Sequence, residues 1–177
     1  MRGRYQVADR VERFACGAGP DGWRYTATDD AGDTLDLTVD DQGVVRRVLA
    51  DFDGWAVRGG ALGDEVLWVR GEQEHSAVAA GFTGSSPGFE LATARLLRLA
   101  VGETRRVVLV ELTEPVGAAR TVTRGWARTE GPEAGVDRYE VADLDSGERW
   151  VLHVAGEILV SREGPRPAHL LDVDTVM

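Results

Sequence analysis

Residues 81–101 read GFTGSSPGFELATARLLRLAV, and two incompatible folds hang on how this stretch is taken. Gly84-Ser85-Ser86-Pro87-Gly88 fits the Gly-x-Ser-x-Gly pattern of a hydrolase nucleophile elbow, with Ser86 as nucleophile. An elbow draws an oxyanion-hole N–H from the residue after the serine, and Pro87 has none. The same residues suit a helix start better: Ser86 as N-cap, with Pro87 at the first helical position, where its fixed φ is helical and its missing N–H costs nothing. No second strand-helix-strand unit is present to build the parallel sheet an elbow needs.

From Phe89 onward the periodicity is helical. Phe89, Ala92, Leu96, Leu99 and Ala100 form one stripe, and Leu91, Ala94 and Leu97 widen it around most of the cylinder. The spacing predicts a helix over about residues 87–101 that wants cover on more than one face. The concavity of a curved sheet supplies such cover, because a helix of that length spans roughly 20 Å, close to the length of a strand.

Strand-like segments flank the helix on both sides. WRYTAT (23–28), DTLDLTV (33–39), VVRRVLA (44–50), WAVRG (55–59) and EVLWVRG (65–71) precede it, separated by Gly- and Asp-rich turns. TRRVVLVELTE (104–114), AARTVTRGWART (118–129), DRYEVADL (137–144), ERWVLHVA (148–155) and EILVSR (157–162) follow it. The connections are too short for parallel crossovers. The expected fold is mainly β: a curved antiparallel half-barrel or barrel of about ten strands around one central helix. Residues 1–164 are expected to form a single domain and 165–177 a C-terminal tail. RYQVAD at 4–9 recurs as RYEVAD at 138–143, which two similar edge-type strands explain as well as a duplication does.

Composition narrows the function. The formal net charge is -10, from 30 acidic and 20 basic residues, so the mean field repels nucleic acid and anionic lipid surfaces. The lone Cys16 excludes an internal disulfide and a Cys-x-x-Cys motif. No apolar run spans a bilayer and the N-terminus carries no secretion signal, so the expected location is cytoplasmic. Glu72, Glu74 and His75 alternate in a way that spoils a three-ligand metal site, and a solvated turn is expected there. His153 reads as a hydrogen-bonded sheet histidine, Asp143 and Asp145 as turn residues, and His169 as exposed. No catalytic residue, metal or cofactor is expected.

One stretch, GFTGSSPGFELATARLLRLAVGETRRVVLVEL (81–112), resembles the middle of a bacterial family assigned to glycolipid binding. The matching residues are Ser86, Pro87, Phe89, Arg95, Leu96 or Arg98, Leu99, Val101, Gly102 and Glu103, and RYEVADLDSGERWVLHVAGEILV is similar to that family's closing strands. The resemblance covers about residues 80–162 and lacks the family's Asp-Val-Asp and Asn-Thr segments before the helix. It implies a curved antiparallel sheet wrapped around helix material with an apolar cavity.

The tryptophans Trp55, Trp68, Trp126 and Trp150 fall in expected strands, where they seal a core or line a cavity. Together with Phe89, Leu96 and Leu99 they are the candidate ligand-binding residues, with Arg95 or Arg98 near a pocket mouth. The expected function is non-enzymatic binding of an apolar or amphipathic, glycolipid-like small molecule. The alternative is a small β-barrel enzyme of the cyclase or isomerase type, which a titratable group inside the cavity favours.

Overall fold

The computed structural model describes residues 1–174. Before the helix come β1 (Arg2–Val7), β2 (Arg10–Gly19), β3 (Gly22–Asp29), β4 (Thr34–Val39), β5 (Val45–Phe52), β6 (Trp55–Leu62), β7 (Glu65–Arg70), β8 (Gln73–Val78) and β9 (Phe82–Thr83). The helix α1 (Pro87–Leu97) leads into β10 (Thr104–Thr113), β11 (Ala118–Thr129), β12 (Asp137–Asp143), β13 (Arg149–Ala155), β14 (Ile158–Glu163) and β15 (Ala168–Asp174). All fifteen strands join one sheet, ordered β8-β7-β6-β5-β4-β3-β2-β1-β15-β14-β13-β12-β11-β10-β9. Every neighbouring pair is antiparallel except β9 with β10. The sheet is curved and open, not a closed barrel, and its strand number exceeds the expected ten.

Hairpin chemistry produces this order. Between β5 and β6, Asp53 and Gly54 both take positive φ, 50° and 81°, the geometry of a two-residue type I′ turn whose twist matches the strands it joins. Alternation then sorts side chains between the faces: Trp23, Tyr25 and Ala27 of β3 point into the concavity and are buried, while Arg24 lies outside. Tyr5, Phe14 and Tyr25 stack in series across β1, β2 and β3, with ring centroids 4.4 and 5.8 Å apart.

The helix lies against β3, β9 and β14. A Cβ on Gly88 would sit 2.4 Å from the Tyr25 ring, so the first turn presses directly on the sheet. The helix ends at Leu97, earlier than the expected residue 101. Arg98 adopts a left-handed conformation at φ 46° and returns its backbone N–H to Ala94 O, and Leu99 then buries outside the helix. Residues 168–174 are not a tail either. β15 pairs with β1 on one side and β14 on the other, in the middle of the sheet. The strands bearing RYQVAD and RYEVAD are likewise interior, not edge strands.

Candidate functional site

Where α1 begins, charged residues stand among the apolar positions that line the concavity. In β10 Glu111 follows Val107 and Leu109 on one face; in β11 that face carries Arg124 between Val122 and Trp126, with the exposed Arg120 beyond Val122. The register sets Glu111 directly opposite Arg120, and Arg124 directly opposite Asp143 of β12. The helix contributes Glu90 from its first turn, β13 contributes Trp150 and β14 contributes Arg162.

These groups form one network. Arg162 donates through Nη1 to Glu90 Oε2 at 3.0 Å, and the Trp150 indole N–H donates to Glu90 Oε1 at 3.1 Å. Arg162 also donates to the backbone oxygens of Ser85 and Arg166. Burial pushes the Glu90 carboxyl above its ordinary range, and the charges of Arg162 and Arg124 only partly offset this. Glu111 accepts from Arg120 at 2.7 Å and from Arg124 at 2.8 Å. Burial opposes ionisation of Asp143 too, yet the backbone N–H groups of Ser146 and Asp145, with Arg124, hold it below its ordinary value. The Arg124 guanidinium lies over the Trp150 ring, 4.7 Å from its centroid.

The network walls a chamber of about 190 Å³ lined by Glu90, Glu111, Arg124, Asp143, Trp150 and Arg162, among others. One buried donor in its wall is unspent. Arg124 Nε is 3.4 Å from Asp143 Oδ2 but has no hydrogen-bond partner among the described residues. A second cavity of about 310 Å³ adjoins it, sharing Arg166 and walled by Glu12 of β2. Larger hollows run along other parts of the sheet; the one over β10–β13 is floored by Gly125, Ala127 and Ala142, which alternate with the inward Trp126 and Val141.

Of the residues expected from sequence, Trp150 alone lies in the chamber wall. Phe89, Leu99, Trp68 and Trp126 are buried in the core, and Leu96 is half-buried. Trp55 is exposed at the rim, covered by the Arg70 guanidinium 4.1 Å from its ring. Arg95 pairs with Glu157 at 2.9 Å and lies over Trp23, toward the far end of the helix from the chamber. His153 meets Ser161 at 3.0 Å, and His75 stacks on Trp68 within the exposed β8. Asp143 accepts from the turn, as expected of a turn residue, and also faces Arg124. Sequence reading missed Glu90, Glu111, Arg124, Arg162 and Glu12. For Glu111 and Arg124 the available signal was charge alternating with apolar residues along one strand face.

No family model and no curated protein matches this chain. Among solved structures it is similar to the crystal structure of a DUF1089 family protein from Pseudomonas aeruginosa, at 16% identity over 91% of this chain and 89% of that one, with a TM-score of 0.60. What the two chains share at that distance is the fold.

Proposed function

We propose that the protein is a non-enzymatic binding module for an amphipathic small molecule whose hydroxylated, sugar-like head occupies the chamber at the start of α1. The reading rests on the unspent Arg124 Nε, a buried donor in a wall otherwise made of carboxylates already aligned by guanidinium partners. The 3.4 Å approach to Asp143 leaves that donor underused, and a ligand oxygen reaches it once the guanidinium turns toward the chamber. Fixed carboxylates accept from hydroxyl groups and fixed guanidiniums donate to them. The chamber holds about six waters, which a head of one ring would displace. Phe89, Leu97 and Leu99 fill the interior beside the helix, so the apolar part of the ligand is held at the mouth.

The test is a tryptophan-fluorescence titration with n-octyl glucoside below its micellar concentration, repeated on Arg124→Gln. In that variant Glu111 keeps Arg120 and Asp143 keeps its turn donors. The expected outcome is saturable binding that weakens about tenfold in the variant, the scale of one lost charged hydrogen bond. No saturable change in the wild type, or equal affinity in a folded Arg124→Gln, removes the chamber as a headgroup site.

A further inference from the structure

We propose that the cavity walled by Glu12 is a second binding site, one for an organic cation: an ammonium group on a short carbon chain. The cavity, about 310 Å³, lies beside the β1–β2 turn and the segment before α1, with Val7, Arg10, Glu12, Asp29, Ser85 and Glu114 in its wall. Of its other acids, Asp9 is exposed to solvent, and Asp29 and Glu114 are matched by Arg10. Arg10 stands 3.0 Å from Asp29, 3.2 Å from Asp33 and 3.3 Å from Glu114. Glu12 is not matched: it is 7% exposed, and among the described residues it has no cation within ion-pair distance. Both hydrogen bonds it accepts, from Tyr25 Oη at 2.6 Å and Ser86 Oγ at 3.0 Å, end on Oε1. Oε2 is left for the cavity.

A buried carboxylate without a counter-charge is costly, and a ligand that supplies the charge is bound in proportion. The groups around Glu12 do not supply it. Tyr25 and Asp29 face it from β3, Tyr5 from β1, Ser86 from the start of the helix and Glu114 from the end of β10, none of them cationic. Arg162 from β14 acts on Glu12 at longer range but is engaged by Glu90, and Arg10 on the same strand is engaged by three other acids. Arg166 lines the cavity but forms no ion pair with Glu12. Oxygen count sets the ligand class. A guanidinium needs both carboxylate oxygens for its fork, and a metal ion needs several oxygen ligands, whereas one open oxygen suits the compact point charge of an ammonium. Burial lifts the Glu12 pKa to about 7, so near neutrality it is available in the charged form. The overall charge of -10 adds a field that draws cations toward the chain.

The site adjoins the headgroup chamber and shares Arg166 with it, and the experiment keeps the two apart. Isotope-labelled protein is titrated with n-butylammonium chloride and, separately, with n-butanol, following backbone amides by NMR. The expected result is saturable shifts around Val7, Ser85 and Glu114 with butylammonium, at an affinity at least about tenfold above that for butanol, and lost about tenfold or more in Glu12→Gln but not in Arg124→Gln. Glu12→Gln keeps an acceptor for Tyr25 and Ser86 and removes only the charge. The wild type alone supplies a second reading: affinity rises about tenfold between about pH 6 and about pH 8 as Glu12 ionises, while an alkylammonium stays charged throughout, as a lysine does. Equal binding of butanol, unchanged binding in Glu12→Gln, a flat pH profile or no saturable shift at these residues overturns the proposal.

Discussion

Glu12 ties a single side chain to the stability of the whole chain. Its carboxyl binds a proton more tightly when buried, with a pKa near 7, than in the unfolded chain, near 4.5. A raised carboxyl pKa means that the folded form holds the extra proton, so stability is greatest below the unfolded value and declines as pH rises through the folded one. The decline from this residue is on the order of 3 kcal/mol at most. Glu90 is shifted in the same direction and adds to it. Thermal melts from about pH 5 to about pH 8 are therefore expected to show the wild type losing stability with rising pH and Glu12→Gln losing less; parallel profiles for the two proteins would show that Glu12 is ionised without penalty. Little of this was legible in the sequence. Glu12 sits between Val11 and Arg13 in a run that shows no clean alternation, and its partners Tyr25 and Ser86 lie 13 and 74 residues away. Glu90 looked like the polar edge of an amphipathic helix because Trp150 and Arg162, which make it part of a chamber, are 60 and 72 residues distant.

At the scale of elements, local chemistry was readable and long-range cover was not. The helix start follows from Ser86, whose extended φ/ψ of -66° and 137° and acceptance from Gly88 N make it the N-cap. That bond is long, 3.4 Å, and the serine hydroxyl also donates to Glu12, so the residue stabilises both the helix and the sheet beneath it. Ser86→Ala is expected to lower unfolding free energy by about 1–2 kcal/mol in urea denaturation, and Ser86 is expected to resist fluorophosphonate labelling; labelling would restore the nucleophile reading. The helix end was less legible, because Leu99 continues the apolar stripe after the backbone has turned left-handed at Arg98. The ten segments expected as strands all became strands and RYQVAD falls mostly in β1, whereas β2, β8, β9 and β15 escaped notice. β8 is exposed along most of its length and carries no apolar pattern, and β9 is two residues long, held by parallel pairing that no local signal announces. β15 is masked in the sequence by Pro165 and Pro167 just before it and by the lack of a clean alternation in AHLLDVD.

On the scale of the molecule, the sheet has edges at β8 and β9 and its centre at β1 and β15. Backbone donors at the centre are committed on both sides, which makes the cost of a lost N–H measurable apart from any side chain. His169 is exposed, and its residue pairs with Gln6 of β1 and Ser161 of β14. His169→Pro is expected to cost about 3 kcal/mol or more in urea denaturation, with His169→Ala within about 0.5 kcal/mol of wild type; equal effects of the two would mean that β15 is dispensable. The same placement governs the order in which the fold can assemble. Each flank of the sheet is a run of hairpins between sequence neighbours, quick to form, but Arg2 finds Asp174 only across nearly the whole chain. During synthesis β1 emerges with one side unpaired and keeps it so until β15 has been made. For that interval β1 is a bare edge, and Arg2 and Arg4, the charged residues on it, are what discourage a wrong partner from settling there first.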